Sequence, residues 1–185
     1  MARRRSNYQE FPKKCGHTPS RRVIPLEDAA RKIKVAAKAR SSKDFKIIAR
    51  TDARTAHGLD EALRRGDAFL KAGADIVFIE SPESAEEMER IGRTFNAPLL
   101  ANMVEGGRTP ILNSSELEKL GYKIAIYPVA GLLAATSSIQ SIYAHLKATG
   151  STQNWDGHLY PFSEFVRMIG FERVWGFEQA NAEDE

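Results

Sequence analysis

Cysteine is nearly missing, since Cys15 is the only one in 185 residues. A disulfide framework within the chain is thereby excluded, which fits a reducing compartment, the cytoplasm in preference to the mitochondrial matrix. Long apolar runs are missing too. No stretch reaches the about 18 residues that a membrane-spanning helix needs. Arg3, Arg4 and Arg5 have no apolar core behind them, so no secretory signal is expected. There is no Walker-type phosphate loop, no G-x-G-x-x-G follows a strand-like run, and the pair Gly106-Gly107 is too short to stand for one. The four histidines (His17, His57, His145 and His158) lack zinc-ligand spacing. No G-x-S-x-G elbow occurs, which leaves serine-hydrolase chemistry without support.

What is present is the composition of an ordinary globular domain, with 42% hydrophobic and 28% charged residues. The length suffices for one domain with a sizeable core. The net charge of +3 conceals an asymmetry, because the first 40 residues carry 12 Lys/Arg against 3 Asp/Glu. No series of aromatic residues is interleaved among these basic ones as stacking platforms, Tyr8 and Phe11 being the two there, and no nucleic-acid motif follows. A solvated basic face, or one facing anionic substrates, is the reading that remains.

Residues 1–25 are polar, basic and irregular, with Pro12, Pro19 and Pro25, and are expected to form a loop. Pro25 then opens a helix with Leu26, Ala29, Ala30, Ile33, Ala36 and Ala37 on one face. Four apolar runs read as strands: Phe45 to Arg50, Asp75 to Ile79, Pro98 to Met103 and Lys123 to Tyr127. The second is apolar enough to be buried on both faces. Helical patterns over Leu59 to Ala72, Glu83 to Phe95, a short stretch opening at Ser114, and Gly131 to Thr149 separate or follow them. Gly73 stands where a C-cap glycine belongs. Strands alternating with helices mark parallel βα units, in an open doubly wound sheet or in part of a barrel.

Each of the first three strands ends in a different hydrogen-bonding residue: Arg50 with Thr51 and Asp52, then Glu80, then Asn102. Both candidate architectures place their sites at the carboxyl ends of the strands. An arginine there suits a bidentate grip on a carboxylate or phosphate.

The sharpest local feature is Lys13-Lys14-Cys15-Gly16-His17. Two lysines and a histidine make an electropositive setting that favours the thiolate. Gly16 lets the backbone approach a ligand closely. Such a cysteine can act as nucleophile or proton donor.

This pentapeptide resembles the K-[KR]-C-G-H loop of the isocitrate lyase / phosphoenolpyruvate mutase superfamily. Ile48 to Ala53, Phe78-Ile79-Glu80 and Ala101-Asn102-Met103 resemble its next three strands in order. Asn102 to Pro110 is similar to the 2-methylisocitrate / 2,3-dimethylmalate lyase branch, and the resemblance runs from about Phe11 to Ala180.

The resemblance implies an α/β fold of (β/α)8 TIM-barrel type, with the four strands above as its fifth to eighth. Only the C-terminal half of the barrel is then expected here: residues 1–25 as the basic segment and catalytic loop, 26–150 as the half-barrel, 151–185 as a helical tail. It implies Mg2+ or Mn2+ and cleavage of a substituted 2-hydroxy dicarboxylate to a 2-oxo acid such as pyruvate plus a carboxylate. In that chemistry Cys15 protonates the departing enolate, His17 tunes the loop, and Arg50 stabilises developing charge. Gly16, Glu80, Asn102, Met103 and Val104 join Cys15 and Arg50 in holding the substrate. The cysteine favours a lyase over the phosphonomutase branch. An arginine that grips a third carboxylate in 2-methylisocitrate lyases falls here at Leu133, which favours a less charged, malate-like substrate.

The family's metal-binding aspartates and Ser-Gly-Gly segment precede the cysteine loop, and nothing here corresponds to them. The metal ligands are therefore expected to be absent from this chain. The alternatives are a catalytically silent, truncated half-barrel, or a phosphonomutase or oxaloacetate decarboxylase relative. A half-barrel exposes two strand edges and an apolar sheet face, so association with itself or with a missing half is expected, without nucleic acid or membrane as partner. Trp175 and Phe177 in the tail suit packing on a neighbouring subunit or an intramolecular cap.

Overall fold

The computed structural model describes residues 5–9 as backbone and residues 22–182 with their side chains. Residues up to Gly131 cluster into one compact unit and those from Leu132 into a second.

The first unit is built on a five-stranded sheet: β1 (Arg5–Gln9), β2 (Lys46–Thr51), β3 (Ile76–Ile79), β4 (Leu99–Asn102) and β5 (Tyr122–Ile126). All neighbours are parallel and the strands lie in chain order. The four strands read from apolar runs are present. The loop expected over the first 25 residues is corrected at β1, which pairs with β2 from Arg5↔Lys46 to Gln9↔Arg50. Its sequence, RSNYQ, has no apolar alternation. Pairing along an edge uses backbone groups that every residue carries, so hydrophobic periodicity had nothing to register.

Helices α1 (Leu26–Ala39), α2 (Ala53–His57), α3 (Leu59–Lys71), α4 (Ala85–Thr94) and α5 (Ser114–Lys119) fill the crossovers. Their limits follow local chemistry. Pro25 precedes α1, whose buried residues Ala29, Ile33 and Ala36 recur at helical spacing. Ser84 caps α4 by accepting from the Glu87 amide at 3.2 Å. Asn113 and Glu116 close a reciprocal capping box on α5. No helix among the described residues is long and apolar enough to cross a membrane.

The two faces of the sheet are filled differently. Ile47 and Ala49 pack with Ala29, Ile33 and Phe69, while Val77, Ile79, Leu99 and Ala101 pack with Leu63, Met88, Ile91 and Leu117. The alternate residues Ile48, Ile76, Phe78 and Leu100, with Ile124, pack only among strand residues. A doubly wound sheet reverses its strand order and has helices on both faces. Among the described residues of the first unit this sheet does neither: it is singly wound, with one face that α1 to α5 leave free of helices.

The second unit contains all but the first two residues of α6 (Ala130–Thr149), with α7 (Phe162–Met168) and α8 (Phe171–Asn181). Within it, Trp155 Nε1 donates to Ser141 Oγ at 2.9 Å, and Phe171 meets Trp175 edge-to-face. Many of its large apolar side chains are exposed, including Leu132, Tyr143, Phe162 and Phe177.

In the first unit, α4 passes close to the end of α5. A Cβ on Gly92 would stand 1.8 Å from the Leu120 carbonyl oxygen. Alanine would gain about 1 kcal/mol of helix propensity, yet overpacking against backbone costs about 1–3 kcal/mol. The clash dominates because a carbonyl, unlike a side-chain tip, cannot rotate aside. Gly92→Ala is expected to lower stability by about 1–2 kcal/mol, measured as a shift in the urea midpoint at unchanged m-value.

Candidate functional site

Side chains alternate along a strand, so Arg50, Glu80 and Asn102 leave on the same face as Ile48, Phe78 and Leu100, the helix-free one. All three stand at carboxyl ends. Glu80 lies one residue past β3, where its amide still donates to Thr51 O at 3.0 Å. The fold thus gathers residues that are 22 and 30 positions apart onto one rim.

Arg50 organises the cluster. It holds Asp52 through two bonds, Nε to Oδ2 at 3.0 Å and Nη2 to Oδ1 at 2.7 Å. Its Nη1 lies 3.3 Å from Glu80 Oε2, and the guanidinium sits 5.0 Å above the centre of the Phe78 ring. Glu80 also accepts from Ser81 Oγ at 3.2 Å and from Asn102 Nδ2 at 3.3 Å. The side chains of Arg50, Asp52 and Glu80 are 11%, 7% and 7% exposed. Burial at this level is tolerable for charges only when they are paired and hydrogen-bonded, as these are.

Two local departures from ordinary chemistry mark the rim. Asp52 occupies the N-cap of α2 but makes no side-chain cap bond. An aspartate there ordinarily accepts from the first helical amides; this one turns to Arg50. Ser81 has φ 59, in the left-handed region, and is buried. One acceptor in the cluster is also left over: Asn102 Oδ1 is buried and has no hydrogen-bond partner among the described residues. A buried unsatisfied acceptor costs about 1–3 kcal/mol, and a ligand hydroxyl or N–H is the group that would meet it.

A second network lies beside the first. Arg54 Nε and Nη2 donate to Glu87 Oε2 and Oε1 at 2.9 and 2.7 Å. Arg54 also pairs with Glu83, whose amide donates to Glu87 at 2.8 Å. Arg108, in the segment after β4, reaches Glu83 at 3.4 Å. Hydrogen bonding from Arg54, opposed by a smaller burial penalty, holds the Glu87 carboxyl below its ordinary value. At the other end of the strands, Arg40 and Asp75 pair at 2.6 Å and Asp75 accepts from the Ile47 amide, a fastening away from the rim.

Of the site residues expected from sequence, Arg50, Glu80 and Asn102 come together. Arg50 grips a carboxylate bidentately, as its position suggests, but the carboxylate is the chain's own Asp52. Met103 is fully buried among core residues, and Val104 is half-buried beside it. Leu133 is exposed on α6. Cys15, Gly16 and His17 lie outside the described residues. Sequence reasoning did not single out Ser81 or the Arg54–Glu83–Glu87 network. A Ser-Pro pair reads only as a turn, and charges 29 and 33 residues apart carry no pairing signal.

A singly wound parallel βα protein with a buried polar rim at the strands' carboxyl ends is the class these features define. The model of the phosphoenolpyruvate phosphomutase family matches residues 12–147, and the chain belongs to that family. It is 50% identical to 2,3-dimethylmalate lyase of Eubacterium barkeri over 166 residues, which cover 90% of this chain and 57% of that protein. A crystal structure of a 2,3-dimethylmalate lyase, a PEP mutase/isocitrate lyase superfamily member, superposes with a TM-score of 0.84 at 30% identity, over 96% of this chain and 60% of that one. A phosphonopyruvate hydrolase in complex with oxalate and Mg2+ superposes with a TM-score of 0.78 at 27% identity, over 97% of this chain and 62% of that one. The chain spans about half the length of the curated relatives it matches.

Because the folded Glu87 carboxyl is depressed from 4.5, its bonds to Arg54 stabilise the fold above that pH and are lost as pH falls through the depressed value. Glu87→Gln is expected to cost about 1 kcal/mol at pH 7. The difference from wild type shrinks below about pH 4, as denaturant titrations across that range would show.

Proposed function

We propose that this chain supplies the C-terminal half of a (β/α)8-barrel carbon–carbon lyase that cleaves a substituted 2-hydroxy dicarboxylate of the 2,3-dimethylmalate kind. The products are a 2-oxo acid such as pyruvate and a carboxylate. The observation that carries this reading is the meeting of Arg50, Glu80 and Asn102 in one buried cluster on the helix-free face. The chain's similarity to 2,3-dimethylmalate lyase adds the substrate class.

In the proposed reaction the substrate hydroxyl donates to Asn102 Oδ1, the buried acceptor without a partner. The Glu80 carboxylate, held beside Asn102 at 3.3 Å, takes that hydroxyl's proton, and the C–O bond becomes a carbonyl. The adjacent C–C bond breaks, and its electron pair passes to the departing fragment as a carboxylate enolate. Cys15 delivers the proton that quenches this enolate, in keeping with a thiol set between Lys14 and Gly16. His17 orients the loop. Arg50, fixed by Asp52 and Glu80, presents positive charge that needs no reorganisation when the enolate forms.

The described cluster holds one guanidinium against two carboxylates. A dicarboxylate therefore needs further positive charge at the rim, and Lys13, Lys14 and His17 are the source within the sequence. Mg2+, present with oxalate in the related phosphonopyruvate hydrolase, is part of the proposal as a Lewis acid for the hydroxy-carboxylate. Among the described residues no three His, Cys, Asp or Glu side chains form a donor set for it. The residues described here do not fit that ion by themselves, and no step above is routed through it.

The exposed apolar side chains of α6 to α8 point to a protein partner, a second copy or further barrel segments. Pyruvate release from 2,3-dimethylmalate with Mg2+ tests the reaction. Cys15→Ser is expected to lower kcat by about 100-fold or more with KM little changed. Unchanged turnover in that variant would rule out the proton-donor role, and no cleavage by the chain joined to the other half of the barrel would reject the activity.

A further inference from the structure

Ser81 stands out among the described residues with positive φ. Six of the eight are glycines, and a seventh is Asn154, a residue type that tolerates the left-handed region. Ser81, at φ 59, is neither. It also precedes Pro82, which biases the residue before it toward extended backbone. The residue is 5% exposed, so solvent contact does not explain the choice. Glycine would adopt this backbone without strain, and the sequence uses glycine at six such places elsewhere.

What serine has and glycine lacks is the hydroxyl, and here it is in use. Ser81 Oγ donates to Glu80 Oε1 at 3.2 Å. The other donors lean to the second oxygen: Arg50 Nη1 is 3.3 Å from Oε2, and Asn102 Nδ2 is 3.3 Å from Oε2 but 3.5 Å from Oε1. Without the hydroxyl, Oε1 keeps only the longest contact among the described residues, and the carboxylate can swing about its last torsion. That torsion is broad and roughly two-fold, with little intrinsic preference to resist the swing.

We infer that Ser81 is a positioning residue for the proposed lyase, its left-handed backbone aiming the hydroxyl at Glu80 so that the carboxylate holds Arg50 and Asn102 in one geometry. Strain retained at a buried turn beside the rim fits a local constraint kept for function. This inference rests on the lyase reading for its kinetic consequence, but not for its structural one.

Ser81→Gly is the decisive variant, because it removes the hydroxyl and the strain together. A residue that only shapes the turn predicts a stable and fully active protein. A positioning residue predicts that stability and activity part company: Tm unchanged or raised by about 2–4 °C, kcat lowered roughly ten- to hundredfold, and KM little moved. Ser81→Thr keeps the hydroxyl on a residue ill suited to positive φ and is expected to reverse the pattern, with lower Tm and most of the activity retained. A crystal structure of Ser81→Gly should show the Glu80 carboxylate rotated or in two orientations. Activity of Ser81→Gly within about twofold of wild type, well under the expected effect, would overturn the inference. If the chain joined to the other half of the barrel releases no pyruvate, the lyase reading fails, and the structure still decides for Ser81: an unmoved Glu80 carboxylate overturns its role.

Discussion

The ion-paired guanidinium of Arg50 is the constraint around which the rim is arranged. Two carboxylates flank it, one from the residue two positions on and one from the neighbouring strand, and all three side chains are almost out of water. Removing charges from water is costly, and their mutual attraction compensates only when geometry and hydrogen bonding are good. That requirement reaches into the backbone. It explains why Asp52 gives up capping α2 and why Glu80 collects three donors. Parallel strands in chain order meet it simply, because every crossover returns the chain in the same direction and each carboxyl end arrives at the same rim.

The two ends of the sheet divide the work. At the amino ends, Arg40 and Asp75 tie the start of β2 to the turn before β3, a contact that fastens backbone. At the carboxyl ends the polar groups are tied mostly to one another, and one acceptor, Asn102 Oδ1, is left with no partner. The Arg54–Glu83–Glu87 network then braces α2 against the start of α4, and Arg108 extends it to the segment beyond β4. The cluster is paired within itself and flanked by a second paired network.

Much of this was legible in the sequence, for identifiable reasons. Four strands and the helices between them declared themselves through apolar runs, helical spacing and boundary residues such as Pro25 and Gly73. The β3 run is buried throughout, as its continuous apolar character implied. Arg50, Glu80 and Asn102 were readable because each follows an apolar run and so must stand at a strand's end. β1 was not readable, since edge pairing leaves no hydrophobic trace. Nor was the partner of Arg50: a guanidinium at a rim announces its charge but not which carboxylate will reach it. Ser81 was invisible for a deeper reason. Its significance lies in a backbone angle, and a serine before a proline signals an ordinary turn. The helix-free face followed only from seeing which alternate residues meet helices and which meet each other.

Phe78 lies beneath the Arg50 guanidinium. An aromatic ring on one side and protein on the other exclude the mobile ions that would otherwise crowd around such a charge. Surface attractions fade over a Debye length of about 8 Å at physiological ionic strength, but a cation seated on a ring and clasped by two carboxylates is largely beyond that screening. The grip of the rim on its own residues should therefore hold in concentrated brine as in dilute buffer, while capture of the proposed dicarboxylate from solution would weaken as electrolyte rises. Ionic strength would then separate arrival from chemistry, slowing the encounter and leaving the committed complex nearly untouched.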